Sequence, residues 1–295
     1  RISATIKIYK QVATVVDPVQ RINALQERAA VTKPPALPRW EDWQRSVPNE
    51  VVRSALFTVG NRRDRREFLV ETELAAIGET QVTYQGVELR QDDEDVWLQA
   101  LHLAREQPLD APIEFVPHAF LRAIGWPTTG HYYALLRDAF GRMQRTTVTF
   151  RNQRLHKGLS ISLIRRFEWS DRDAGGSDDR CKVWIEPEMR LLFGNTQYTR
   201  IEWEQRRHLR PLAKWLHGYF ASHRTPLPVR VVTLRDACGS DTRELRNFRP
   251  KLKAALTELV EACFLSDWQI DETDLVHVCR APAPGVDACG QTRLI

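Results

Sequence analysis

Residues 121–144 read Leu121-Arg122-Ala123-Ile124-Gly125-Trp126-Pro127-Thr128-Thr129-Gly130-His131-Tyr132-Tyr133-Ala134-Leu135-Leu136-Arg137-Asp138-Ala139-Phe140-Gly141-Arg142-Met143-Gln144, and this run decides the fold. Val116 to Ile124 has the spacing of a short helix that stops at Gly125, and Trp126 to Thr129 supplies a turn. From Gly130 to Gln144, Tyr132, Leu136, Ala139, Phe140 and Met143 fall on one helical stripe. The opposite face carries Gly130, His131, Ala134, Arg137, Asp138, Gly141, Arg142 and Arg145. Small residues at its centre allow close approach, and bases at its edges neutralise negative charge. An ordinary solvated face mixes Glu with Lys instead. Two helices joined in this way make a helix–turn–helix whose second helix is a recognition helix.

Downstream, Thr146–Phe150 and Leu159–Phe167 alternate with the period of strands, around a basic tip, Arg151-Asn152-Gln153-Arg154-Leu155-His156-Lys157-Gly158. Such a hairpin after a helix–turn–helix makes a winged helix. Lys182–Ile185, beyond the polar Asp171–Asp179 loop, is expected to complete its sheet. Upstream lie a helix at Asn49–Phe57, a basic turn at Asn61–Arg66, and strands at Phe68–Ile77 and Gln81–Leu89 joined at Gly78. Asp92, Asp93 and Glu94 suit the positive end of a helix that buries Val96, Trp97, Ala100, Leu101 and Ala104 and stops before Pro108. Before these, a strand-like start and a helix at Pro18–Ala30 lead to a proline-dense linker at Lys33–Pro38.

The second half repeats the plan. A long helix over Arg200–His223 carries Ile201, Leu209, Leu212, Ala213, Leu216 and Phe220, and a strand follows at Val229–Val232. Leu234-Arg235-Asp236-Ala237-Cys238-Gly239 then parallels Leu121-Arg122-Ala123-Ile124-Gly125. In the next helix Leu245, Leu252, Leu256, Leu259 and Val260 face inward, and Arg243, Arg246, Asn247, Lys251 and Lys253 face outward. Pro250 inside a helix costs about 3 kcal/mol, so the helix either starts near Phe248 or bends. A late start places Arg243 to Asn247 in the turn, on phosphate rather than base edges. Strands at Asp267–Ile270 and Asp274–Arg280 close the unit around an acidic tip expected to stay off a polyanion. The expected architecture is α+β: a segment 1–38, winged-helix domains at 39–193 and 194–285 joined by the long helix, and a tail 286–295.

Composition agrees with this reading. The 295 residues, 42% of them apolar, exceed most single cores and exclude a disordered chain. The 43 Lys and Arg against 38 Asp and Glu are a modest excess, but they cluster: between Arg137 and Arg166 the only acid is Asp138. The 5 cysteines form no C-x-x-C pair and no finger spacing with His, which points to reduced thiols in a cytosolic compartment and no zinc. No apolar run approaches the roughly 18 residues of a membrane span. The chain starts at Arg1 rather than Met, as expected of a truncated or processed one. No P-loop, G-x-S-x-G or H-E-x-x-H motif occurs. Tyr132-Tyr133 could suit a nickase nucleophile, but His102, His131, His156 and His277 form no His–apolar–His strand, and Tyr132 fits the core stripe. The acids at 92–95 read as a solvated helix start before they read as a metal site. No catalytic residue, metal or cofactor is expected.

Binding is the chemistry these residues suit. Arg pairs bidentately with guanine and Asn with adenine, which makes Arg137, Arg142, Arg145, Arg246 and Asn247 candidate base readers. Arg151, Arg154, His156 and Lys157 would lie on backbone or minor groove, and His131, Arg243, Lys251 and Lys253 complete the candidate surface. Two reading heads in one chain imply a long asymmetric site bound by a monomer.

The sequence resembles the TrfA-type replication initiators of broad-host-range IncP plasmids, within the iteron-binding Rep proteins. The likeness rests on Asp95-Val96-Trp97-Leu98-Gln99, Gly130-His131-Tyr132-Tyr133-Ala134-Leu135-Leu136-Arg137, and Leu163-Ile164-Arg165-Arg166-Phe167-Glu168. Leu209-Arg210-Pro211, Tyr219-Phe220-Ala221-Ser222-His223-Arg224 and Cys238-Gly239-Ser240-Asp241 extend it across most of Val47 to Arg280. The resemblance implies tandem winged helices, binding to direct origin repeats, opening of adjacent A·T-rich DNA, and exchange between inactive dimers and active monomers. It also implies recruitment of the host helicase and the polymerase sliding clamp. Leu56 and Phe57 are a partial clamp-binding match without its upstream Gln; packing in the core accounts for them equally well. A winged-helix repressor is the alternative reading. It would share the DNA-facing features but dimerise on a palindrome.

Overall fold

The computed structural model describes residues 35–152, 157–170, 180–194 and 197–282. The described residues open with β1 (Gln44–Pro48), α1 (Asn49–Val52), β2 (Phe57–Thr58), β3 (Phe68–Leu74), β4 (Thr80–Val87) and β5 (Leu89–Arg90). Helix α2 (Gln91–Ala104) follows, its first turn closed where Asp93 Oδ2 accepts the Arg90 N–H at 2.9 Å. Its apolar residues Val96, Trp97, Leu98, Ala100 and Leu101 are all buried, so this helix is the axis of the first core. Next come β6 (Ile113–Phe115), α3 (Pro117–Ala123) and α4 (Gly130–Gln144). Pro117 suits the first turn of α3, and Gly125, at φ +73°, takes the left-handed position that ends it. Leu136, Ala139, Phe140 and Met143 of α4 are buried as the stripe predicts, while Tyr132 is half-buried.

The chain continues through β7 (Thr147–Asn152), β8 (Lys157–Ile161), β9 (Arg166–Glu168) and β10 (Cys181–Trp184). The single strand expected at Leu159–Phe167 is broken. Ser162 Oγ donates to the carbonyls of Met143 (3.1 Å) and Ile164 (2.9 Å), which bends the chain while Leu163 and Ile164 enter the core. Strands β7 and β8 therefore extend a four-stranded antiparallel sheet, β3-β4-β7-β8. The strand expected to complete that sheet, β10, instead lies between β6 and β9 in a separate three-stranded sheet.

The long helix expected over Arg200–His223 does not form. Tyr198–Glu202 is a strand, β11, paired antiparallel with β1 from Gln44↔Glu202 to Pro48↔Tyr198. Its buried positions, Thr199 and Ile201, alternate with the period of a strand. The short α5 (Trp203–Arg207) ends before Pro211, whose ring holds Arg210 extended at ψ 161° and opens a new helix, α6 (Pro211–Ala221). Then come β12 (Val229–Arg230), α7 (Val231–Ala237), α8 (Leu245–Glu261), β13 (Leu265–Ile270) and β14 (Leu275–Arg280).

Two apolar cores result. One runs from Leu37 to Trp203 and the other from Leu209 to Val276, so the change of core falls after the expected junction at 193/194. Leu37 belongs to the first core, and the Pro35 carbonyl accepts the Leu109 N–H at 2.8 Å, so the described part of the proline-dense segment, from Pro35, is docked there. The two units share one topology. In each, a helix, a strand, two helices and two strands follow in order, with an insertion of β7–β8 in the first. The last strand takes the centre of each three-stranded sheet, β6-β10-β9 and β12-β14-β13. Gly239, at φ +61°, ends α7 as Gly125 ends α3. The strand hairpin equivalent to β13–β14 is thus β9–β10, not the β7–β8 pair read as a wing from sequence.

Candidate nucleic-acid interface

Helix α4 displays His131, Arg137, Asp138 and Arg145 to solvent, with Ala134 and Gly141 half-buried between them. Gly141 leaves room for a neighbour: a Cβ there would lie 3.2 Å from the Arg145 guanidinium, which folds across it. Arg142 departs from the expected base-reading set. Its Nη2 and Nε donate to Asp93 Oδ1 at 2.6 and 3.2 Å, and its side chain is only 15% exposed. Arg66 takes the other carboxylate oxygen of Asp93 at 2.6 Å. Burial and the charge of Asp92 push the Asp93 carboxyl up, against the pull of these two guanidiniums.

The acids of α2 are likewise not a solvated helix start. Asp93, Glu94 and Asp95 are buried. Arg206 of α5, itself fully buried, donates to Asp95 Oδ1, Glu94 Oε2 and Gln91 Oε1, each at 3.0 Å. Lys214 of α6 closes an ion pair on Asp95. This cluster locks α2 and α4 of the first unit to the helices that lead into the second.

Helix α8 starts at Leu245 with Glu244 as its cap, so Pro250 lies inside it and the late start is not adopted. Arg246 and Asn247 are therefore helical and exposed, as are Lys251 and Lys253. Arg243 precedes the helix, exposed, and its carbonyl accepts Arg235 Nη1 at 2.8 Å. Lys251 Nζ donates to Thr242 Oγ1 at 2.9 Å. Phe248, Leu252, Leu256 and Leu259 form the buried face. Opposite them Arg246, Pro250, Lys253 and Thr257 make one exposed row at helical spacing. Thr257 was legible in that row as a further polar group.

Among the hairpin candidates, Arg151 is exposed on β7 opposite Gly158, and Lys157 opens β8 opposite Asn152. Arg154 and His156 lie outside the described residues. At the β13–β14 tip, Asp271 accepts the N–H groups of Thr273 (2.9 Å) and Leu275 (3.0 Å) and bonds His277 Nε2 at 2.8 Å. Asp274 pairs with Arg249. The acidic tip is thus shaped by its own carboxylates.

A cleft of about 1080 Å³ lies between the units. Its walls include His131 and Leu135 of α4, Lys251 and Ala254 of α8, and the turn at Asn61–Asp64. The flanks of both exposed helices therefore meet one cavity. Leu56 and Phe57 line no surface. Both are buried, Phe57 against the Trp97 ring at 5.6 Å, so core packing claims them and neither is displayed to a clamp. Among the described residues no cluster of metal ligands forms, and no helix is long and apolar enough to cross a membrane.

A family model described as TrfA protein matches residues 3–280. The plasmid replication initiator protein TrfA of Escherichia coli is 37% identical over 248 residues, covering 82% of this chain and 63% of that protein. The chain thus spans less than two thirds of the length of this curated relative. A crystal structure of domains 2 and 3 of RctB superposes with a TM-score of 0.55 at 14% identity, covering 80% of this chain and 98% of that one. A second structure of RctB domains 2–3 gives 0.51 at 15% identity, covering 75% and 92%. At such identities the RctB likeness speaks for the fold alone.

Proposed function

The chain belongs to the TrfA family, and on that premise we propose that it is a plasmid replication initiator that binds specific duplex DNA at the origin through two tandem winged-helix units. The observation that carries this reading is the repeated topology, in which each half presents an exposed basic helix, α4 or α8, after a turn that follows a left-handed glycine. In this reading α8 enters a major groove with Arg246 and Asn247 toward base edges, and α4 enters another with His131, Arg137 and Arg145. Arg142 holds α4 in place instead of reading a base. Lys251, Lys253, Arg243 and Arg151 neutralise phosphates. One monomer with two unlike heads suits direct repeats rather than a palindrome, and a homodimer is its inactive store.

Opening of neighbouring A·T-rich DNA and recruitment of the host helicase and sliding clamp complete the role, in the bacterial cytoplasm. Any clamp contact uses a surface other than Leu56 and Phe57. The work is binding, without a catalytic residue or cofactor. A footprint on origin DNA at two salt concentrations tests the reading. Protection spanning direct repeats and weakening steeply with salt is expected; a single protected palindrome would overturn it.

A further inference from the structure

A further basic surface lies outside the two helices: the turn that joins β2 to β3, Asn61-Arg62-Arg63-Asp64-Arg65. It is built from beneath by Arg90, which is nearly buried. The Arg90 guanidinium donates to the carbonyls of Asp64 and Arg65 at 3.0 Å each, also contacts the Asn61 carbonyl, and is held by Glu88 Oε2 at 2.8 Å. Gly60 is what lets it pass, since a Cβ there would lie 2.8 Å from Arg90 Nε. With its carbonyls drawn inward, the turn directs its side chains outward. Arg62 is then occupied, lying over the Trp126 ring at 4.5 Å and paired with Asp92 at 3.1 Å. Arg63 and Arg65 are exposed and make no ion pair among the described residues.

The second unit fixes where this turn sits. The Val59 N–H donates to the Cys238 carbonyl at 3.1 Å, and a Cβ on Gly239 would lie 2.7 Å from Thr58 Cγ2. The chain leading into the turn therefore rests on the α7–α8 corner, while Asn61 to Asp64 wall the cleft shared with the flanks of α4 and α8. The turn's backbone is already held beside two basic helices, so gripping an anion costs only the ordering of the two exposed side chains. Guanidiniums are also suited to the paired oxygens of a phosphodiester.

We infer that Asn61–Arg65 is a phosphate clamp, in which Arg63 and Arg65 grip the DNA backbone between the stretches contacted by α4 and α8. This rests on the DNA-binding reading above. The clamp touches no base, so it acts on every sequence alike and sets the distance between the two heads.

The test compares the wild-type chain with the double variant Arg63→Gln, Arg65→Gln; both positions are exposed, and thermal melting checks that the fold is kept. Affinity is measured across a salt series on the origin duplex and on a mixed-sequence duplex of about three helical turns. Each phosphate contact contributes about 0.9 to the slope of log affinity against log salt, so the slope should drop by about two in the variant. The fold-loss should be the same on both duplexes, and hydroxyl-radical protection should vanish between the two footprints while persisting beneath them. An unchanged slope with salt-sensitive wild-type binding overturns the clamp alone. A loss confined to the origin duplex also overturns it, because it would mean base reading. Wild-type binding that ignores salt, or is absent, removes the DNA reading and the clamp with it.

Discussion

Helices α4 and α8 occupy equivalent places in the two units, yet they are held to their cores by different physics. Helix α8 is seated by a wholly apolar face, Phe248, Leu252, Leu256 and Leu259, which leaves the cations of its opposite side to solvent. Helix α4 has an apolar face too, but it also spends one of its own arginines, Arg142, on the buried carboxylate Asp93. A basic residue at the edge of a helix is thus no guide to where its charge points. In the first unit part of the positive run is buried scaffold, and in the second even the paired cation, Arg249 with Asp274, stays near the surface. The distinction matters energetically, because a buried ion tolerates the loss of its partner badly, whereas an exposed one returns to water.

Breaking the comparison takes four measurements. Arg206→Ala should have the largest effect, since it strands Glu94 in the core and leaves Asp95 to Lys214 alone, and a loss of about 3–5 kcal/mol in urea unfolding is expected. A loss under about 1 kcal/mol would mean that ions do not hold the first unit together. Arg142→Ala should cost about 3 kcal/mol of stability by the same logic and weaken binding equally on all DNA sequences. A relaxed base preference at unchanged stability would return Arg142 to the reading face. Arg246→Ala should leave the melting temperature alone and cost about 1–3 kcal/mol on the specific site, with relaxed preference at one base. An equal loss on random DNA would instead place Arg246 on phosphate.

The last effect, about 1.4 kcal/mol for each histidine over one pH unit, is one that the units share. Each core holds a neutral histidine whose pKa is lowered to about 3: His102 by burial and the charges of Arg45 and Arg105, His217 by burial and those of Arg206 and Arg280. Trp40 Nε1 donates to His102 Nδ1 at 3.1 Å, which requires that nitrogen to be bare. The unfolded chain takes up these protons near pH 6.5 and the folded one does not. Stability is therefore complete above about pH 6.5 and falls by about 1.4 kcal/mol per pH unit per histidine toward pH 3. Urea titrations at pH 7 and pH 5.5 check this, and His217→Leu should remove about half of the slope.

The bounds of α4 and its stripe were legible because a fifteen-residue amphipathic period, a preceding Thr129 and a turn all agree locally. The repeat was legible in Leu121–Gly125 and Leu234–Gly239 for the same reason: both are short-range patterns ending in a left-handed glycine. What failed depends on distant partners. Arg142 meets a carboxylate at position 93, and nothing near either residue announces the pair. Ile201, Leu209, Leu212 and Leu216 fit a helical period, but Thr199 and Ile201 answer to β1 across the whole first unit, and Pro211 starts a helix rather than continuing one. The basic hairpin at 147–161 was read as a wing because it follows α4 directly; only the strand order reveals it as an insertion before β9 and β10. Of the candidate cations, Arg137, Arg145, Arg151, Arg243, Arg246, Lys251 and Lys253 are on the surface, and Arg63 and Arg65 join them through a turn that Arg90 organises.

The pairing of β1 with β11 also has a consequence in time. Strand β1 is among the earliest parts of the first unit to leave the ribosome, but its partner from Tyr198 to Glu202 is made last. At about 5–20 residues per second, β1 waits on the order of ten seconds or longer with its edge unpaired. The sheet of the second unit has no such delay, because its strands pair within residues 229–280. The first unit is therefore completed only as the second is already being made, so synthesis delivers the two heads almost together.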